Sequence, residues 1–209
     1  MLKRGFTLIE VLVTLVILMF GLLGIAGLMA KGQKASYEAY QRQQALALSN
    51  DMAERMRANR FQATAYSAGA PIGTPMGAGA DYNDLLINTI TNCDASNCSA
   101  ANLAAYDLAQ WDGQLLGYAE TQTAGGALIG GIVNARGCIE EIANTAGTCP
   151  AAPAPPATFF TRSNRVSVSW QGNEETVVPT TSNCGTGLYG TELMRRVVSL
   201  DVMLQVPCP

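Results

Sequence analysis

Lys3-Arg4-Gly5-Phe6-Thr7-Leu8-Ile9-Glu10, continued without a break by the apolar run from Val11 to Ala30, is the stretch that decides how this chain is built. Two positive charges lead into it, one carboxylate stands at its start, and Thr14 is the only hydroxyl-bearing residue from Val11 to Ala30. An uncharged run of this kind matches the ~20 residues an α-helix needs to cross a bilayer's hydrocarbon core. Lys3 and Arg4 would then stay on the cytoplasmic side. A cleaved secretory signal has a shorter apolar core of roughly 7 to 15 residues, and an ordinary signal anchor gives Glu10 no role. A buried core helix is a poor alternative, because a helix apolar on every face at an N-terminus is more often a membrane span. A charge at the bilayer centre costs on the order of 2.5 to 3.5 kcal/mol, so Glu10 calls for a partner and a place near the interface.

The helix is expected to continue well past the span. No proline interrupts residues 6 to 60, and Ala45, Leu48, Met52 and Met56 recur at helical spacing as one apolar stripe. Glu38 with Arg42, and Asp51 with Arg55, are i,i+4 pairs on more polar faces. At 1.5 Å per residue such a helix is ~80 Å long, too long to be buried in the domain that the remaining residues can build. Half of it must pack elsewhere. Gly21, Gly24 and Gly27 each cost up to about 1 kcal/mol of helix propensity; close approach between membrane helices is one reason to keep them.

Cysteine usage predicts that the rest of the chain lies outside the cytoplasm, and charge argues against a nucleic-acid surface. The net charge is −3, and eight of the thirteen basic residues lie at or before Arg60. Beyond that point the chain is acidic, so no basic surface for nucleic acid is expected. The six cysteines, Cys93, Cys98, Cys138, Cys149, Cys184 and Cys208, all follow the apolar run and read as disulfides of an exported domain. Nearest-neighbour pairing would join Cys93 to Cys98, Cys138 to Cys149 and Cys184 to Cys208. With no histidine and no Cys-x-x-Cys pair, a metal site is not expected. The lack of histidine also removes Ser-His-Asp and Cys-His catalysis, and no glycine-rich loop has the phosphate-binding form. Glu140-Glu141 and Glu174-Glu175 read as solvated surface. Neither a catalytic residue nor a cofactor is expected.

Residues 61 to 209 read as one domain. Ala63 to Ala80 is rich in Gly, Ala, Pro and Ser and reads as a loop. Ala104, Leu108, Trp111, Leu115 and Tyr118 trace a short amphipathic helix that Gly113 weakens. Ala127 to Val133 reads as a strand, and Ala143 to Ala157, with four prolines, as a loop held by a bridge. Val166, Val168 and Trp170 alternate with serines before a turn signal at Gln171-Gly172-Asn173, and Val198, Leu200, Val202, Leu204 and Val206 make the apolar face of a last strand. The expected fold is an α+β roll: a long N-terminal helix packed on a C-terminal antiparallel sheet, stabilised by disulfides.

The stretch from Lys3 to Glu10 resembles the cleavage and methylation motif of type IV prepilins and secretion pseudopilins. The resemblance implies that a prepilin peptidase cuts between Gly5 and Phe6 and methylates the new amino group of Phe6. Residues 1–5 would be the leader, 6–30 the transmembrane and filament-core helix, 31–60 its amphipathic continuation, and 61–209 the globular pilin domain, periplasmic and later extracellular. Glu10 lies one helical turn from the new amine, where the helix dipole also favours a carboxylate, and can pair with the amine of a neighbouring subunit to set axial register. A second account of Gly21, Gly24 and Gly27 comes with the family: a segment that unwinds when the subunit enters the filament.

The run from Ala39 to Ala45, then Leu48 and Asp51-Met52-Ala53-Glu54-Arg55-Met56-Arg57-Ala58-Asn59-Arg60, is similar to the PilV minor pilins, the type IV pilus modification proteins. Weaker similarity extends to Asp107–Trp111, Val166–Gly172 and Arg195–Val198. What this implies is a low-abundance, non-catalytic subunit of the inner membrane that primes pilus assembly with other minor pilins, the major pilin and the assembly platform. It would then sit at the pilus tip beside an adhesin and support piliation, twitching motility and adhesion. Two alternatives are a minor pseudopilin of a type II secretion system and a tip adhesin or DNA-uptake pilin.

Overall fold

The computed structural model describes residues 5, 7–118, 131–145, 149 and 158–208. The chain divides into two compact units, Met1–Tyr40 and Gln41–Pro209.

Helix α1 spans Leu8–Ala58. In the first unit its opening turn forms as the Thr7 carbonyl accepts the N–H groups of Glu10 and Val11, at 3.1 and 3.3 Å. The Thr14 hydroxyl donates to the Val11 carbonyl at 2.8 Å, so the one hydroxyl of the apolar run carries its own acceptor, as a polar group in hydrocarbon requires. Leu8, Phe20, Leu23 and Leu28 are all more than 70% exposed. By length and composition α1 can cross a membrane. A Cβ added at Gly21, Gly24 or Gly27 would meet nothing within 4 Å, so nothing among the described residues of the single chain demands these glycines.

The second unit begins on the same helix. From Gln41 onward α1 buries Ala45, Ser49, Met52, Ala53 and Met56 on one stripe, with Leu48 half-buried beside it. The helix stops at Ala58, and a 3₁₀ turn at Arg60–Gln62 hands over to α2, Ala63–Gly69. The loop expected from Ala63 is therefore helical in its first part. Its reason is Tyr66, fully buried and flanked by Ala63, Ala65 and Ala68; glycine and proline break the chain only from Gly69 and Pro71. A short helix α3 follows at Ala80–Leu86. Next comes α4, Ala100–Leu116, where the Ser99 hydroxyl accepts the Asn102 N–H at its start and Gly117, at φ 75°, takes the left-handed cap that glycine favours. Ala104, Leu108, Trp111 and Leu115 are buried as their spacing predicts.

Among the described residues, three antiparallel strands follow, in the order β1-β2-β3: β1 Arg136–Asn144, β2 Phe159–Gln171 and β3 Arg195–Pro207. Of the strand expected at Ala127–Val133, only the last three residues are described, and they are not strand. Residues 127–130 fall outside the described residues, residues 131–133 form a bend and turn, and β1 starts at Arg136. Its Glu140-Glu141 pair is weakly strand-forming on its own; what holds β1 is eight pairs with β2, with a register shift between Glu141 and Ala143. Strand β2 pairs with β3 without a break from Phe159 opposite Pro207 to Gln171 opposite Arg195. One face of the sheet places Ile139, Val166, Val168, Trp170, Val198, Val202 and Leu204 in a single core with Met52, Met56, Trp111 and Leu115.

Trp111 is the keystone of that core. It is fully buried, and its Nε1–H donates to the Leu48 carbonyl at 3.1 Å, which ties α4 to α1. Its ring lies so close to β1 that a Cβ at Gly137 would stand 2.3 Å from Cη2, and 2.7 Å from Leu115 Cδ1. Gly137→Ala is expected to destabilise the protein by about 1 to 3 kcal/mol through overpacking. A thermal melt of the full chain in detergent measures it; an unchanged midpoint would mean that the ring moves freely.

Candidate functional site

The polar groups at the seam between α1 and α4 come from residues spaced by helical turns. Arg55 donates from Nε to Asp51 at 2.9 Å, and from Nη1 to Asp107 at 3.0 Å and Gln110 at 2.7 Å. The Tyr66 hydroxyl donates to the other oxygen of Asp107, and Asn59 Nδ2 donates to the Ala100 carbonyl at 2.8 Å. Burial, and then the hydrogen bond to Asp107, pushes the Tyr66 phenol well above its usual range. Asp112 accepts the backbone N–H groups of Gly77, Gly79 and Tyr82, which folds the chain between α2 and α3 against α4. Gly113, which weakened the helix by propensity, is where the Tyr82 ring packs: a Cβ there would lie 2.4 Å from the ring. These groups are paired with one another and fix geometry; nothing in them is poised to react.

The opposite face of the sheet holds what the sequence did not disclose. Ser167 and Ser169, which alternate with the apolar residues of β2 and read as its polar face, are buried at 1% and 0% exposure. Over them lies the connection from β2 to β3, pinned by the Cys138–Cys184 disulfide. The Tyr189 hydroxyl lies 2.9 Å from Ser169 Oγ and donates to the Asn134 carbonyl at 3.1 Å. Arg195 is buried and gathers the connection around itself, donating to Glu192 at 2.6 Å, to the carbonyls of Ser182 and Cys184 at 2.8 and 3.3 Å, and to that of Pro179 at 3.2 Å. The Gly187 N–H and then the Arg195 guanidinium hold the Glu192 carboxyl below its usual range. The signal in the sequence was the small size of the two serines, which lets a covering loop approach.

The six cysteines form three bridges, with a pairing that differs from nearest neighbours. Cys93 joins Cys98, but Cys138 joins Cys184 and Cys149 joins Cys208. Antiparallel pairing explains the change: Cys138 sits opposite Ser167 on β1, under the connection that carries Cys184, while Cys149 is bridged to the residue just past the end of β3. The proline-rich part of the expected bridged loop, from Pro150 to Pro156, lies outside the described residues.

Of the N-terminal residues, Gly5 and Glu10 are exposed and Glu10 stands in the first turn of α1, within the first unit; Phe6 lies outside the described residues.

A long N-terminal helix, apolar in its first part and packed from Gln41 onward against a three-stranded antiparallel sheet that disulfides lock, is the fold of a type IV pilin. Residues 1–26 match the family model described as the prokaryotic N-terminal methylation motif, and residues 27–109 match that of type IV pilin Tt1218. The two abut, and with the fold they support a type IV pilin, a structural subunit with a prepilin-type N-terminus. No curated protein and no solved structure matches the chain.

Proposed function

We propose that this chain is a minor pilin of the PilV type. It is made as an inner-membrane precursor whose residues 1–5 are removed by prepilin peptidase between Gly5 and Phe6, with methylation of Phe6. The precursor reading is carried by the conjunction of the motif from Lys3 to Glu10 with an unburied apolar helix directly behind it, and the PilV reading by the resemblance of the run from Ala39 to Arg60. Residues 6–30 anchor the precursor and later line the filament core, residues 31–60 continue the helix, and residues 61–209 form the periplasmic, then extracellular, domain. The subunit joins other minor pilins and the assembly platform to prime the pilus, and ends at the tip beside an adhesin, where it supports twitching and attachment.

Deleting the gene separates this role from a secretion pseudopilin. Surface pili and twitching are expected to fall while secreted enzymes are unaffected; intact piliation with lost secretion would reverse the assignment. Glu10→Val is expected to leave cleavage intact and to reduce the subunit's recovery in sheared pili at least tenfold, because the Phe6 amine of a neighbouring subunit loses the carboxylate it pairs with inside an apolar core. Normal recovery of that variant would remove the amine pairing.

A further inference from the structure

Two cavities flank α2. The one between α2 and β1 has Glu140 and Glu141 in its lining, and both acids are already answered: Arg162 pairs with Glu141 at 2.9 Å, and Arg165 stands opposite Glu140 on the neighbouring strand. The other lies between α2, α3 and α4 and has a volume of about 290 Å³, at the lower end of the range of small-molecule pockets. Ala65 and Gly69 of α2, Ala105 and Leu108 of α4, and Ile90 shape its walls, and every lining residue but one is alanine, glycine, leucine or isoleucine. The exception is Asp81 of α3.

Among the described residues, the Asp81 carboxylate accepts no hydrogen bond and meets no cation. The charged groups that act on it are Asp112 of α4 and Asp84 of α3, both acids, and α2 carries no charge. Burial first, and then those two carboxylates, push the Asp81 carboxyl above its usual range. A carboxylate among aliphatic side chains is costly unless a cation or a hydrogen-bond donor meets it. The rest of the second unit, residues 119–130, 146–148, 150–157 and 209, lies outside the described residues and includes no lysine or arginine. An apolar segment laid over the cleft would only bury the carboxylate further.

We infer that this cleft binds a small primary alkylammonium, its unbranched stem along the alanine walls and its ammonium group on the Asp81 carboxylate. Stem and walls are both aliphatic, and the cation supplies the charge that three neighbouring acids lack. A guanidinium fits less well, because its five N–H donors would face walls whose side chains offer one acceptor group. A metal ion fits less well again, since no group of three or more ligating side chains gathers among the described residues. The assignment does not depend on the pilin reading and stands or falls apart from it.

The test titrates the full chain in neutral detergent with n-pentylammonium and follows the amide resonances of Asp81, Ile90 and Ala105. Saturable shifts confined to the cleft are expected, with affinity falling about threefold for each methylene removed from the stem. The neutral alcohol n-pentanol should bind at least tenfold more weakly to the same wild-type chain, a comparison that needs no variant. Asp81→Asn, which keeps the shape of the side chain, should weaken the amine at least tenfold, and Ala105→Leu should abolish binding by filling the cleft from its exposed side. Because only the ionised carboxylate attracts the cation, affinity should drop from pH 7 to pH 4 in the wild type and stay level in Asp81→Asn. Equal binding of the alcohol, unchanged affinity in Asp81→Asn, or the same shifts with calcium alone would overturn the proposal. So would a lysine-containing peptide that binds at least tenfold more tightly than the free amine, since the cleft would then serve a protein partner.

Discussion

Replacing Gly5 with valine leaves the precursor at full length in the inner membrane and removes the subunit from pili altogether. The expectation follows from what cleavage creates. The only cationic side chains near Glu10 in the precursor sequence are Lys3 and Arg4, which the positive-inside bias holds at the cytoplasmic surface; drawing them into a filament core would bury two charges at several kcal/mol each. Once residues 1–5 are gone, the sole remaining cation at that end is the α-amino group of Phe6, one turn from Glu10. Intact-mass measurement of the membrane fraction decides the matter: the Gly5→Val chain should begin at Met1 and the wild type at methylated Phe6. A mature-sized product from the variant would contradict the motif.

Removing the Cys138–Cys184 bridge by the double change to serine should cost about 4 kcal/mol, since it closes a loop 46 residues apart in sequence. At about 2 to 4 °C per kcal/mol for a chain of this size, the melting midpoint falls by roughly 8 to 16 °C. The same treatment of Cys93 and Cys98, only five residues apart, should cost about half as much. Thermal melts of the two double variants, each as full chain in detergent, make the comparison. Equal losses would mean that the connection between β2 and β3 holds to its face of the sheet through Arg195 and Tyr189 without the bridge.

The parts of the fold that were legible in sequence are those where one residue pattern has one outcome. The stripe at Ala45, Met52 and Met56, the helix through Trp111, and the alternation along β3 each bury the face their period assigns. Asp51 and Arg55 meet as i,i+4 spacing predicts. Illegible were the places where a distant partner decides. Glu140-Glu141 became strand because β2 lies beside it, Ser167 and Ser169 became interior because a loop folds over them, and Cys138 passed over the nearer Cys149. The N-terminal site is the reverse case. Glu10 is plain in the sequence, and the partner proposed for it, the amine of another subunit, lies outside a single chain.

The two long bridges interlace, since Cys149 lies between Cys138 and Cys184, and Cys184 between Cys149 and Cys208. In the proposed precursor, whose N-terminus stays in the cytoplasm, the residues behind the anchor would cross in sequence order and present Cys138 and Cys149 to the oxidant before Cys184 has arrived. Oxidation in order of emergence would therefore trap Cys138 with Cys149, and reaching the native pairs then requires thiolate attack on an existing bridge, a shuffling reaction that takes seconds to hours depending on the isomerase present. Yield of the mature subunit should thus depend on an isomerase as well as an oxidase, and a host strain with only the latter should accumulate a misbridged species that a reducing agent rescues.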